Sequence, residues 1–226
     1  MRTPIGDGRE LIRMVEQPFE SETDLELILS EHPELITDGL VGDGAPPRWL
    51  LISRQVGVDF GSWSNRWAVD LLFVDEHAVP ALVEVKRSSN PGLRRGVVAQ
   101  VLDYAASAVL SWSAERLRTT FAETWEARGR DPGAVLDEFL RDAGGTDGFW
   151  QRANANLQAG KIRLVFAADE VPAELQRVLG FLSRQMRTAS VLAVEVKRFG
   201  APVADRGPRR RSPAAARTGA RSGRLP

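Results

Sequence analysis

The sequence predicts an α/β protein with a mixed central β-sheet flanked by helices. Three observations predict it. Three apolar runs, 48–56, 66–75 and 78–87, follow one another across short connections, the pattern of an antiparallel meander. Segments with apolar residues at helical spacing stand before and after them. A later strand–helix–strand succession, 161–169, 172–186 and 190–199, continues the sheet.

The stretch "SETDLELILSEHPELI" (21–36) predicts the first helix. Ser21 is its N-cap, Asp24 takes the capping-box position, and Leu25, Ile28 and Leu29 form its apolar stripe. Pro33 closes or kinks it. Residues 38–47 are a loop by their Gly and Pro content. After the meander, 90–112 predicts a long helix. Asn90 is its cap, Pro91 its first position, and apolar residues fall at 93, 97, 98, 101, 102 and 105. Segments 114–127, 132–141 and 149–157 are helical insertions. The expected order is α-β-β-β-α, then the helical insertion, then β-α-β.

Residues 1–18 are expected to form an N-terminal arm, 19–199 one domain, and 200–226 a disordered tail. Seven arginines against one acid, Asp205, give residues 199–226 a charge of +6 in a chain whose total is zero. That segment has almost nothing to bury. It is either an electrostatic arm for nucleic acid or a solubilising tail.

Composition narrows the chemistry. There is no cysteine, which excludes disulfides, thiolate-held metals and thiol catalysis. His32 and His77 are the two histidines. A metal would therefore be held mainly by oxygen, which favours Mg²⁺, Mn²⁺ or Ca²⁺. No segment approaches the roughly 18 apolar residues of a membrane span, and "MRTPIGDGRE" lacks a signal peptide's apolar stretch, so a cytoplasmic protein is expected.

Glu-Val-Lys-Arg occurs twice, at 84–87 and 195–198. The first copy follows Asp70 by a hairpin's length. Glu84 and Lys86 are two apart on a strand and project to one face, with Val83 and Val85 on the other. Two carboxylates at one end of a hairpin repel unless a cation lies between them. A nearby ammonium can then position water. This is the equipment of metal-assisted phosphodiester hydrolysis. The plainer alternative is a surface ion-pair cluster. Lys86 is one of three lysines beside 27 arginines, and the two residue types are not interchangeable near a phosphate. The second copy has no carboxylate at hairpin distance, and Glu195 and Lys197 are expected as exposed strand positions.

"VDLLFVDEHAVPALVEVKR" resembles the signature of the PD-(D/E)XK nuclease superfamily, the restriction-endonuclease-like fold. Asp70, Glu84 and Lys86 match its motif, with Val69 where proline often stands. In many relatives a glutamate on the first core helix joins the metal site. Glu22 fits that position, and Glu26 is its rival one turn on. Gln100 and Tyr104, four apart on one helix face, match a Gln/Tyr pair of some subfamilies. The arrangement is similar to the nuclease domain of the NucS mismatch endonuclease family and related uncharacterised bacterial nucleases. The motifs span about 19–110.

The resemblance implies a Mg²⁺-dependent endonuclease or exonuclease, with Mn²⁺ able to substitute, acting on nucleic acid, with DNA the expected substrate over RNA. Asp70, Glu84 and Glu22 would hold metal; Asp70, Glu84, Lys86 and Gln100 would be catalytic. Arg87, Arg94, Arg95 and Tyr104 are the candidate nucleic-acid contacts, with a solvated basic turn and a half-buried helix face as the alternatives. Trp63 and Trp67 either stack on bases or pack at the rim. No separate DNA-reading segment is visible, which leaves recognition to a homodimer or an accessory partner. The alternative function is a catalytically inactive nuclease-fold module binding nucleic acid or protein.

Overall fold

Nine strands and seven helices are found in a computed structural model that describes residues 2–4, 10–38, 46–57, 68–90 and 96–201. Residues Glu16–Arg198 form one compact unit. The described residues 2–4, 10–15 and 199–201 belong to another, in which β1 (Arg2–Pro4) and β2 (Glu10–Ile12) pair antiparallel. β3 (Val15–Gln17) is short. Of the expected features, the Gly-rich loop, Trp63, Trp67, Pro91, Arg94, Arg95 and the arginine-rich tail lie outside the described residues.

α1 (Glu22–Glu31) begins as its sequence dictates, with the Ser21 hydroxyl accepting from the Asp24 N–H at 3.0 Å. It ends with the His32 N–H on the Ile28 carbonyl. Pro33 has no N–H to continue the ladder, and a separate turn, α2 (Glu34–Thr37), follows. The helical stretch 21–36 is thus broken at Pro33, as its proline leads one to expect, into two helices.

β4 (Trp49–Gly57), β5 (Ala68–Asp75) and β6 (Pro80–Lys86) form the antiparallel meander. The β5–β6 turn is built by Asp75. Its Oδ1 accepts from the His77 and Val79 amides at 2.9 and 2.7 Å. The Ala78 amide closes on the Asp75 carbonyl at 2.9 Å, with Ala78 at φ 60°. This turn sets the register Leu71↔Val83 and Leu72↔Leu82.

α3 (Gly96–Ser111), α4 (Ala114–Ala127), α5 (Pro132–Leu140) and α6 (Phe149–Gln158) lead to β7 (Arg163–Ala168), α7 (Ala173–Gln185) and β8 (Ser190–Glu195). β6, β7 and β8 are parallel, so the five-stranded sheet, in order β4-β5-β6-β7-β8, is mixed. The last strand departs from expectation. It stops at Glu195, and Lys197 lies in a break before β9 (Arg198–Gly200), with its ammonium 3.1 Å from Glu16. β9 pairs with β3.

Two apolar cores sandwich the sheet. Tyr104, Trp112, Phe121, Phe149 and Leu175 from α3 to α7 pack with Leu72, Leu82, Leu164 and Phe166. On the other face Leu25, Leu29 and Ile36 pack with Leu71, Phe73, Val83 and Val85. Each fully buried Leu or Phe contributes about 1.5–3 kcal/mol. Leu82 belongs to the first core and Val83 and Val85 to the second, so strand alternation turns Glu84 and Lys86 toward the α3 side. Among the described residues no single helix is long and apolar enough to cross a membrane.

Candidate active site

Continuing the register set by the Asp75 turn by one step places Asp70 opposite Glu84. The β4–β5 pairing, Arg54↔Leu71 and Val56↔Val69, places Gln55 opposite Asp70 on its other side. Parallel pairing puts Glu84 beside Phe166 on β7. The carboxylates therefore stand in a row across the sheet.

One ammonium gathers them. Lys86 Nζ lies 2.6 Å from Glu84 Oε1, 3.8 Å from Asp70 Oδ2 and 3.9 Å from Glu22 Oε2. It also donates to the Val85 carbonyl at 3.2 Å. Carboxylates gathered by one ammonium at these distances lie within the roughly 8 Å span that one shared cation allows. Asp70 is held at both oxygens, by the Val85 N–H at 2.8 Å and by Gln55 Nε2 at 3.1 Å. Glu22 Oε1 accepts from the Arg87 N–H at 3.1 Å and from Asn90 Nδ2 at 2.7 Å. α1 thus enters the site through its first residue.

Exposure is graded. The side chain of Glu84 is 1 % exposed, those of Asp70 and Lys86 16 %, and that of Glu22 35 %. Solvent therefore reaches the cluster past Glu22, and Glu84 is its floor. Glu84 Oε2 is buried with no hydrogen-bond partner among the described residues. An ionised carboxylate in that state is costly. Burial, then the charge of Asp70, pushes the Glu84 carboxyl up to about 7, against the pull of Lys86. Burial also raises Asp70, opposed first by the Val85 N–H and then by Lys86. For Lys86, burial works against the charge, but Glu84, Asp70 and Glu22 outweigh it and raise the ammonium above its ordinary value.

These residues fit a hard divalent cation. The donors are all oxygen, three carboxylates face one ammonium, and the deepest carboxylate keeps an unpartnered oxygen. Among the described residues no three acidic or histidine side chains form a ready-made metal cage. The Lys86 ammonium is the cation among them.

The remaining expected residues divide. Gln100 Nε2 donates to the Tyr104 hydroxyl in a short hydrogen bond, and both lie on α3. Tyr104 is 1 % exposed, and burial first, with the nearby Glu84 and Asp70 charges, pushes its hydroxyl up to about 12. Tyr104 was expected to meet nucleic acid. It is a core residue beneath the carboxylates, because its position on α3 falls in the buried stripe Val97, Val101, Tyr104, Ala105 and Ala108. Arg87 is half-buried and its Nη1 donates to the Glu20 carbonyl at 3.0 Å, which braces the end of β6 to the entry of α1. Glu26 does not reach Lys86 by an ion pair; it is taken by Arg54 Nε and Gln55 Nε2, both at 3.0 Å. Arg54 and Gln55 carry no signal in the sequence, since a one-residue irregularity in β4 decides which of them faces Asp70.

At the second Glu-Val-Lys-Arg, Glu195 Oε1 accepts from the Val171 N–H at 2.8 Å and Lys197 pairs with Glu16. Neither contacts the cluster.

No family model, curated protein or solved structure matches this chain.

Proposed function

We propose that the chain is a metal-dependent nuclease of restriction-endonuclease-like fold, hydrolysing phosphodiester bonds of nucleic acid, with DNA as substrate and Mg²⁺ or Mn²⁺ as cofactor. The observation that carries the reading is the buried, unpartnered Glu84 Oε2 within a cluster of three carboxylates around one lysine. The antiparallel meander followed by parallel β7 and β8, with α1 behind and α3 in front, supports the fold.

Asp70, Glu84 and Glu22 would hold the metal. Bound there, a divalent cation supplies Lewis acidity and lowers the pKa of water. The chain's own residues do the rest. The Val85 N–H and the Gln55 amide fix the orientation of Asp70. The Glu84 floor, closed by the apolar face of α3, keeps bulk water from one side, which strengthens every charge interaction inside. Lys86 stays protonated, since its neighbours raise its pKa. Its role is therefore to donate hydrogen bonds to a phosphoryl oxygen and offset the charge that grows there, rather than to act as a base. Gln100, held by Tyr104, positions Lys86 or the substrate. We also place the protein in the cytoplasm, working as a homodimer or with an accessory partner.

A non-catalytic module is the second reading, favoured by the fact that Lys86 already pairs with the carboxylates without metal. Cleavage assays decide. Purified protein with Mn²⁺ is expected to cut at least one of single-stranded, duplex, branched or mismatched DNA, and Asp70→Ala to cut none. No cutting of any of them would sink the enzyme reading.

A further inference from the structure

Gln55 has the left-handed φ of 52°, where residues other than glycine are uncommon and glutamine has no local compensation. It sits in a strand, and what puts it there is legible. Leu51 pairs with Phe73 but Ser53 with Leu72, so Ile52 is an extra residue in β4. Without it, Arg54 and not Gln55 would lie opposite Asp70. The side chain that results donates through one nitrogen to two acids, Asp70 Oδ1 at 3.1 Å and Glu26 Oε2 at 3.0 Å. Both partners are carboxylate oxygens, so the amide must present its NH₂ to them. Gln55 is exposed, so core packing does not account for the strained backbone.

A strained, exposed residue whose side chain spends both of its donors on a cluster of acids points to function rather than stability. We propose that Gln55 is a positioning residue: its amide holds Asp70 and Glu26 apart and in place, so that Asp70 presents its oxygens to a divalent cation. This rests on reading the cluster as a metal site. Gln55 acts through Asp70 and contacts neither metal nor substrate. The neutral amide is suited to this, because a cation at position 55 would neutralise the carboxylates and a carboxylate would repel them.

Two variants separate this from a structural role. Gln55→Gly and Gln55→Ala both remove the amide, but only glycine relieves the backbone. Calorimetric titration of the full chain with Mn²⁺ alone, and thermal melts without metal, are the readouts. Both variants are expected to bind Mn²⁺ about 10- to 100-fold more weakly than the parent, the usual effect of losing a residue that orients a ligand. Gln55→Gly is expected to melt about 2–4 °C above Gln55→Ala. If the parent binds Mn²⁺ and both variants bind it within twofold of the parent, the positioning role is overturned while the metal site stands. If the parent binds no Mn²⁺, both fall together. If Gln55→Gly loses metal affinity but melts below Gln55→Ala, the strain argument is wrong and the proposal is overturned in that part.

Discussion

Glu84 Oε1 lies 2.6 Å from Lys86 Nζ, while its other oxygen is buried and unpartnered. This half-satisfied pair is what one expects of residues kept for chemistry, since a fully apolar or fully paired floor would be more stable. Replacing the carboxylate by an amide of the same shape removes the buried charge. Glu84→Gln is therefore expected to abolish cleavage while raising the stability of the metal-free protein at pH 8 by about 1 kcal/mol or more. Denaturant unfolding checks the second half.

The same pair makes stability depend on pH. Glu84 is raised from 4.5 to about 7, and Asp70 is raised too, so the folded state binds more protons than the unfolded one across that window. Stability from this source is present below 4.5 and is lost as pH rises through about 7. The size is on the order of a few kcal/mol. It is read as the difference between the parent and Glu84→Gln, whose stability should lack this fall. Mn²⁺ binding should tighten as pH rises over the same window, because the ligand is the ionised carboxylate.

On the proposed reading, Lys86 would compete with metal for the carboxylates it pairs with. Lys86→Ala is expected to lose cleavage by about 100-fold or more and yet retain Mn²⁺ binding. Lys86→Arg should not rescue, since a planar guanidinium cannot take the place of a compact ammonium. Lys197→Ala, on the other Glu-Val-Lys-Arg, should cleave as the parent does, because Lys197 pairs with Glu16 away from the cluster. Cleavage rates and calorimetry on the three variants test this directly.

Asp75 holds the register that places Asp70 opposite Glu84. It is fully buried, accepts two turn amides, and forms an ion pair with Arg163, whose Nη1 lies 2.6 Å from its Oδ2. Asp75→Ala leaves those amides and a mostly buried guanidinium unmatched. A loss of about 3–5 kcal/mol in denaturant unfolding is expected.

Much of the sheet and the site follows from the sequence for physical reasons. Strand alternation put Glu84 and Lys86 on one face, and the hairpin's length brought Asp70 back to them. The N-cap at Ser21 fixed where α1 starts, and so placed Glu22 at its first turn. Spacing could not choose between Glu22 and Glu26, which lie on one helix face; the choice is made by Arg54 and Gln55, which occupy Glu26. Gln55 itself was hidden by the irregularity at Ile52. Tyr104 was placed on the correct helix face but not at its depth, because half-buried and buried positions share one periodicity. The break between β8 and β9 was hidden too, since Val194, Glu195, Val196 and Lys197 continue an alternation that the hydrogen bonds do not.

The carboxylates of Asp70, Glu84 and Glu22 gather around the Lys86 ammonium, in the place we propose for a divalent cation. Anomalous diffraction from a crystal soaked in Mn²⁺ tests this place. A manganese peak in contact with Asp70 and Glu84 is expected, with the ammonium displaced from Glu84 Oε1. A crystal saturated with Mn²⁺ that has no peak there, and keeps Lys86 on Glu84, would contradict that proposal.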